Sequence, residues 1–420
     1  MGGHWHQISS LWENLRLRQA ATLYIASFAG IPLAIFTSIV FTRFLGPQGY
    51  GDFAFLDSLF DVARILFPMG FFYAGNRALV TNKDPQTARE LYGASLVILL
   101  VLFVVMAVIM GVYGLADGNL EEKGLRSFFF LLLPFGWIFL LTPYFDQLLH
   151  ADNRIHELAA TRFFPKVITF AMALAVWFLL PDYGGNRLAI VWASYLGAFL
   201  LVYAMVFAKI RVSFRNLRWR LRQMRQLHQS YGIHLYVGSL FSMGSVALTG
   251  VLISYFSDDN SGVGYFMLAV AISRPLALIP GVVASTWFKD FAGRERIPGR
   301  LTVMTLVLSV AGLLALLLLA GPFVRLAYSD AFLPVIRLAH LAGLAMFFYG
   351  MAGFFNRFLE AHGRGKAVRN TFILTGVSLL AANLALIPAH GPLGAAVAMI
   401  IASLIYLGGM WASYRASQAG

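Results

Sequence analysis

The sequence predicts an all-α polytopic membrane protein with about twelve transmembrane helices in two pseudo-symmetric six-helix bundles. Composition, long charge-free runs and internal repetition each point there. Of 420 residues, 59% are hydrophobic and only 12% charged, with a mean hydropathy of +0.73. A soluble chain carries about 25% charged residues, and an interior of this size cannot hide so much apolar surface. A soluble enzyme is therefore excluded, and so is a disordered or fibrous chain, given 15% aromatic residues. With no cysteine there are no disulfides, thiol nucleophiles or Cys-based metal sites. The formal charge of +13 fits a chain that keeps basic residues on one side of a bilayer.

A membrane-crossing helix needs about 20 apolar residues. Runs without formal charge cover 20–42, 91–116, 127–145, 188–208, 226–257 and 301–324. The run 370–414 is too long for one crossing, and Pro388 to Pro392 carries turn chemistry, so it reads as two helices and a tight hairpin. Four further spans, near 53–75, 159–180, 265–287 and 334–358, contain a few charges. Long continuous segments exclude a β-barrel built from alternating ten-residue strands.

With the N-terminus in the cytoplasm, cytoplasmic segments collect most of the 32 Lys and Arg residues, including seven between Lys209 and Arg225. The outer side holds only Arg43, Lys123, Arg126, Arg187, Arg325 and Arg337. This asymmetry puts both termini in the cytoplasm. The apolar run from Ala20 is too long for a signal peptide and lacks a cleavage site.

The two halves resemble each other. Gly49-Tyr50 aligns with Gly264-Tyr265, LLHADNR ending at Arg154 with FLEAHGR ending at Arg364, and LLPDYGG at 179–185 with LIPAHGP at 386–392. Near-constant offsets argue for parallel repeats about an axis along the membrane normal. The expected organisation is a bundle at 1–208, a basic cytoplasmic linker at 209–231 and a second bundle at 232–420. In the linker, Leu217, Leu221 and Met224 share a helical face, while Trp219 and Arg215, Arg218, Arg220, Arg222 and Arg225 suit anionic membrane lipids at an interface. A basic loop that only sets topology is the plainer alternative. Nothing accompanies this charge to read nucleic acid.

The stretch RFLGPQGYGDFAF after the first span resembles the signature of the oligosaccharide (O-antigen type) flippases of the multidrug/oligosaccharidyl-lipid/polysaccharide superfamily, with its MATE-like fold. LIPAHGPLGAAVA and FVRLAYSDAFLPVIRLAHL resemble the same family further along, so the likeness covers essentially the whole chain. It resembles the lipid II flippases less. The resemblance implies a central cavity that opens alternately to each side. It also implies a cargo: an undecaprenyl-diphosphate-linked oligosaccharide repeat unit, moved from the cytoplasmic to the periplasmic leaflet of the bacterial inner membrane for O-antigen or other polysaccharide biosynthesis. Partners on this reading are the lipid-linked glycan and the polysaccharide polymerase with other assembly proteins; the chain itself is expected to be a monomer.

Charged residues inside a bilayer are expensive and therefore functional candidates. Asp57, Asp61 and Arg64 are spaced for one helical face, and Arg274-Pro275 lies on the repeat-related span. Arg64 and Arg274 are expected to attract the carrier's diphosphate in the cavity, where a guanidinium fork suits phosphate. Arg162, Lys166 and Arg357 are expected to guide it from the cytoplasmic leaflet. Asp57, Asp61 and Asp146 are candidate charge partners or sites for a coupling ion or proton. Asp61 with Arg64 could equally be an internal ion pair, and the cations at helix ends could merely reach for headgroups. Arg43, Gly46, Pro47, Gly49 and Tyr50 form an expected outer turn or gate, with the glycines and proline allowing a sharp bend. In span 7, Ser239, Ser242, Gly244, Ser245, Thr249, Gly250 and Ser254 read as a close-packing face or a sugar-facing lining.

No P-loop spacing occurs, the histidines form no H-E-x-x-H, and no segment between spans is long enough for a catalytic domain. No cofactor or metal is expected, nor covalent chemistry. A transporter is left, with a drug/cation antiporter of the same superfamily as the alternative cargo class and a membrane glycosyltransferase disfavoured.

Overall fold

A computed structural model describes residues 15–82, 84–179 and 184–418, and all described regular structure is helical. Lys83, part of the 179–185 motif and the side chains of Ser239 and Ser242 lie outside the described residues. In chain order the α-helices are α1 (Leu15–Leu66), α2 (Phe71–Thr81), α3 (Pro85–Ala116), α4 (Gly118–Glu122), α5 (Arg126–Leu132), α6 (Trp137–Ala151), α7 (Ile155–Leu179) and α8 (Arg187–Ile210). There follow α9 (Leu217–Leu227), α10 (Ile233–Tyr255), α11 (Ser261–Thr286), α12 (Phe288–Ala292), α13 (Gly299–Ala327), α14 (Pro334–Ala361) and α15 (Gly365–Gln418). A π-helical turn, His228–Gly232, joins α9 to α10.

Among the described residues, eight helices are long and apolar enough to cross a membrane, or nine if α5 and α6, bent by 40° at their junction, form one span. Two of these helices are each interrupted by one kink. In α1 the only non-helical residue is Gly46 (φ 72°), and in α15 it is Gly391 (φ 54°). Both glycines precede a proline within Gly-Pro-x-Gly, GPQG at 46–49 and GPLG at 391–394. The glycine supplies the positive φ, the proline forbids an α conformation before it, and the same proline then suits the first turn of the next helix. The expected hairpin near Pro388–Pro392 is thus a break at Gly391. Its arms pack on each other through Leu379, Ala398 and Ala402, and a Cβ on Gly394 would stand 2.3 Å from the Leu386 carbonyl oxygen.

The chain forms two compact units: residues up to Phe41 with Leu66–Val237, and Thr42–Ile65 with Gly238–Gly420. The expected first bundle therefore lends Thr42–Ile65 to the second unit, and the basic linker belongs to the first. The first unit is centred on aromatic rings of α2, α6 and α8. Tyr144 packs edge-on against Phe72 and Phe145, and its hydroxyl donates to the Tyr92 carbonyl at 3.0 Å. Asp84 starts α3 by accepting from the Thr87 N–H at 2.8 Å, with Pro85 following. Hydrogen bonding from Thr87 holds the Asp84 carboxyl below its ordinary pKa. The second unit has a core of Phe291, Phe354, Phe358, Tyr406, Met410 and Tyr414, where α14 and α15 meet. Large aliphatic residues are exposed along α3 (Val101, Val104, Val108, Val112) and α13 (Val303, Val307, Leu318, Leu319). Such continuous apolar faces belong against lipid.

Candidate substrate-binding site

In the first unit, Asp146 on α6 meets Arg162 on α7. The guanidinium donates through Nε and a terminal nitrogen to the same carboxylate oxygen, both at 2.9 Å. Lys166 lies one turn along α7 from Arg162 and on the same face. Its side chain rests on Gly30, where an added Cβ would come within 2.8 Å of the ammonium nitrogen and 3.0 Å of Cδ. Gly30 therefore provides the bed on which Lys166 lies, a role that no motif signals.

In the second unit, Asp57, Asp61 and Arg64 form the open stripe of a helix whose remaining faces are buried through Phe55, Leu56, Leu59, Phe60 and Ala63. Arg64 pairs with Asp61 at 3.0 Å, with both side chains about a third exposed. The internal pair is thus present, and both side chains are only partly buried. On α11, Arg274 is exposed, lies within electrostatic reach of Asp61, and makes no ion pair within 4.0 Å among the described residues. Its neighbours Pro275 and Pro280 lack N–H groups, leaving the Ala271 and Leu276 carbonyls without their usual helical donors. Tyr349 of α14 is also in electrostatic reach of Arg274, and its ring lies 5.1 Å from that of Tyr406 on α15. Tyr406 in turn neighbours Arg357 and Glu360, which pair at 2.8 Å. A line of cations and phenols thus runs through this unit from Arg64 and Arg274 to Arg357. Tyr349 and Tyr406 were not singled out from sequence, because tyrosines in an apolar helix give no distinguishing pattern.

These ion pairs are of the weak kind. Where such partly exposed pairs meet water they are worth about 0–1 kcal/mol, and a guanidinium can also donate two parallel hydrogen bonds to a phosphate. Glu90 and Arg220 differ. Their side chains are 4% and 9% exposed and pair at 2.9 Å, while Arg220 also donates to the Thr87 hydroxyl (2.9 Å) and the Gln223 amide oxygen (3.2 Å). Arg220, expected at the lipid interface, is instead a sealed structural residue: Glu90 on α3 neutralises it, and burial is then tolerable.

The expected outer turn is built differently from its reading. Arg43 donates to the carbonyls of Ala327 (2.7 Å) and Leu326 (2.6 Å), satisfying the end of α13 with a cation where the helix dipole favours one. Gly46 makes the bend and Pro47 restarts the helix, while Gly49 stays helical and meets only the Leu45 side chain. Tyr50 is buried beside Phe53. The close approach belongs to Gly51, where a Cβ would sit 2.0 Å from the Asn260 carbonyl oxygen. A Cβ on Gly264 would likewise stand 3.0 Å from the Gly51 nitrogen. The two aligned Gly-Tyr motifs therefore meet, and Asn260 ties them by donating to Asp52 (2.8 Å) while accepting from Ser254 (2.6 Å). Asp52 and Asn260 escape sequence reasoning, which reads Ser254 only as part of the span 7 face, because only the packing of the two motifs brings them together.

Span 7 follows its packing reading. Ser245, Thr249 and Ser254 are buried, and a Cβ on Gly250 would collide with the Ser58 side chain at 2.4 Å. Thr249 accepts from buried Asn383 at 2.9 Å.

Residues 17–288 match the family model described as "Polysaccharide biosynthesis protein". The structure is similar to that of a lipid II flippase, MurJ, in an inward closed conformation, with a TM-score of 0.68 and 15% identity over 94% of this chain and 87% of that one. It is similar to an inward-facing multidrug resistance MATE family transporter of the MOP superfamily, with a TM-score of 0.71 and 13% identity over 96% of this chain and 99% of that one. An outward-facing MATE family transporter aligns at a TM-score of 0.61 and 11% identity, covering 96% and 95%. A search of curated proteins found no match. The fold is that of the MOP-superfamily transporters, and the match over well more than half its length places the chain in the polysaccharide biosynthesis protein family.

Proposed function

We propose that this chain is a flippase for undecaprenyl-diphosphate-linked oligosaccharide repeat units, carrying them by alternating access from the cytoplasmic to the periplasmic leaflet of a bacterial inner membrane. The observation that carries this reading is Arg274: exposed on a membrane-spanning helix, near the weak Asp61–Arg64 pair, without a carboxylate in contact. A cation at this depth is costly unless it serves an anion, and a diphosphate is the anionic part of such a carrier. Arg162 and Lys166 in the first unit and Arg357 in the second are each proposed to guide the diphosphate from the cytoplasmic leaflet. Family membership supports the polysaccharide context, and the structural likeness to a lipid II flippase supports a lipid-linked cargo. Both termini are cytoplasmic on this reading, the two sequence halves 1–208 and 232–420 are the repeated bundles, and a monomer hands its product to a polymerase. Binding and movement need no covalent step and no cofactor.

A drug/cation antiporter is the second reading, favoured by the half-buried carboxylates Asp57 and Asp61 and by the likeness to multidrug transporters. The deciding experiment deletes the gene and follows carrier-linked glycan. Accumulation on the cytoplasmic leaflet, cleared by the parent gene but not by Arg64→Ala or Arg274→Ala at equal protein levels, is the expected result. Normal export by both variants removes the cationic site; accumulation of a toxic cation without any glycan phenotype selects the antiporter.

A further inference from the structure

The linker helix α9 presents two faces with opposite fates. Arg220 and Met224, one turn apart, point into the first unit. Arg220 is clamped by Glu90, and Met224 is fully buried, 3.6 Å from the Ser95 hydroxyl. Asn216, just before the helix, also donates to Glu90 at 3.1 Å, and Arg220 reaches Thr87, so the helix is fixed to the start of α3 at several points. On the other face stand Arg218, Arg222 and Arg225, spaced four and three apart, all exposed, with Arg215 just before the helix. Trp219 is 56% exposed and Phe214 55%, and the Arg220 guanidinium packs under the Trp219 ring at 4.4 Å from its centroid.

We infer that this face is a rigid docking surface for the anionic phospholipid headgroups of the leaflet at which α9 lies. Chain connectivity supplies the location: α9 is held between the ends of two apolar helices, Arg187–Ile210 and Ile233–Tyr255, so it lies at the membrane boundary. Charge complementarity supplies the occupant. The face carries arginines and no carboxylate from 214 to 225, and its aromatic rings suit the interface between headgroup and acyl chain. The buried Glu90–Arg220 pair fixes which way the cationic stripe points, so the helix does not have to fold or turn on meeting lipid. This rests on the membrane-spanning architecture and not on the cargo.

The full-length protein in detergent is titrated with mixed micelles of phosphatidylglycerol or of phosphatidylcholine bearing brominated acyl chains. Quenching of Trp219 is read as the difference from Trp219→Phe, since the chain holds eight tryptophans. Phosphatidylglycerol is expected to quench at a concentration at least about ten-fold lower than phosphatidylcholine. Each substitution Arg215→Gln, Arg218→Gln, Arg222→Gln or Arg225→Gln weakens this about five-fold, and about 1 M salt abolishes it. The thermal midpoint should not move, because these side chains are exposed. Equal quenching by the two lipids overturns the inference, as does a preference that survives all four substitutions together. Should the single variants instead prove unstable, the stripe is structural and the inference also fails. Binding of an RNA oligonucleotide through the same arginines, without any lipid preference, assigns the face to nucleic acid and overturns it. Loss of the lipid preference with normal glycan export, or the reverse, separates this surface from the proposed transport site.

Discussion

Arginine meets opposite fates in this chain, and exposure separates them. Arg64, Arg162 and Arg357 pair with carboxylates at 3.0, 2.9 and 2.8 Å while remaining partly open. Such pairs contribute little and can exchange partners. Arg220 is buried together with Glu90, so removing either partner leaves the other as a lone buried charge. Loss of one member of a buried pair costs about 3–5 kcal/mol. Glu90→Gln and Arg220→Met are therefore each expected to lower the thermal midpoint of the purified protein markedly, whereas Asp146→Asn should scarcely move it. The double variant Glu90→Gln/Arg220→Met should be less damaged than the sum of its parts, because neither leaves a lone charge. Additive losses would show that the two side chains act through separate contacts.

At the scale of elements, two neighbouring glycines do different work. Gly46 has a positive φ and open space around it, so Gly46→Ala meets only a backbone penalty, about 1–3 kcal/mol. Gly51 is an ordinary helical residue pressed on the Asn260 carbonyl, and Gly51→Ala must push the 257–261 segment away. Transport assays should show Gly51→Ala as the more damaging change, and disulfide trapping between cysteines placed at 52 and 260 should fall only in that variant. Equal trapping in both would show that the segment accommodates the methyl group. The sequence reading found the bends, because Gly-Pro pairs dictate backbone conformation locally, and it found the stripe Asp57, Asp61 and Arg64, because helical spacing is periodic. It missed the Gly51 contact and the bed that Gly30 makes for Lys166, because these depend on which helices lie side by side. It placed Arg220 at the lipid surface because hydrophobic periodicity counts an arginine as polar wherever it sits, and only the distant Glu90 reverses that. The division into units was hidden for the same reason: covalent order puts Thr42–Ile65 in the first half, while packing puts it with the second.

For the whole molecule, the proposed transport requires both that the cargo be held and that the protein change shape, demands that we assign to different residues. Arg274 is exposed, with no ion pair among the described residues. Arg43 donates through Nε and one terminal nitrogen to the Ala327 and Leu326 carbonyls, which ties it to the end of α13. In proteoliposomes carrying a fluorescent lipid-diphosphate oligosaccharide, Arg274→Ala is accordingly expected to raise the half-saturating concentration. A hydrogen bond to a charged group is worth about 1.5–3 kcal/mol, so the rise should be about ten- to a hundred-fold, enough to stop export in a cell whose carrier is scarce. Arg274→Lys should recover part of it, since an ammonium keeps the charge and loses the two-pronged geometry. Arg43→Ala should instead lower the maximal rate at an unchanged half-saturating concentration, because it frees the end of α13 without touching cargo. If Arg43→Ala weakened cargo affinity as strongly as Arg274→Ala, the outer turn would itself bind the headgroup, and the separation of holding from movement would have to be abandoned.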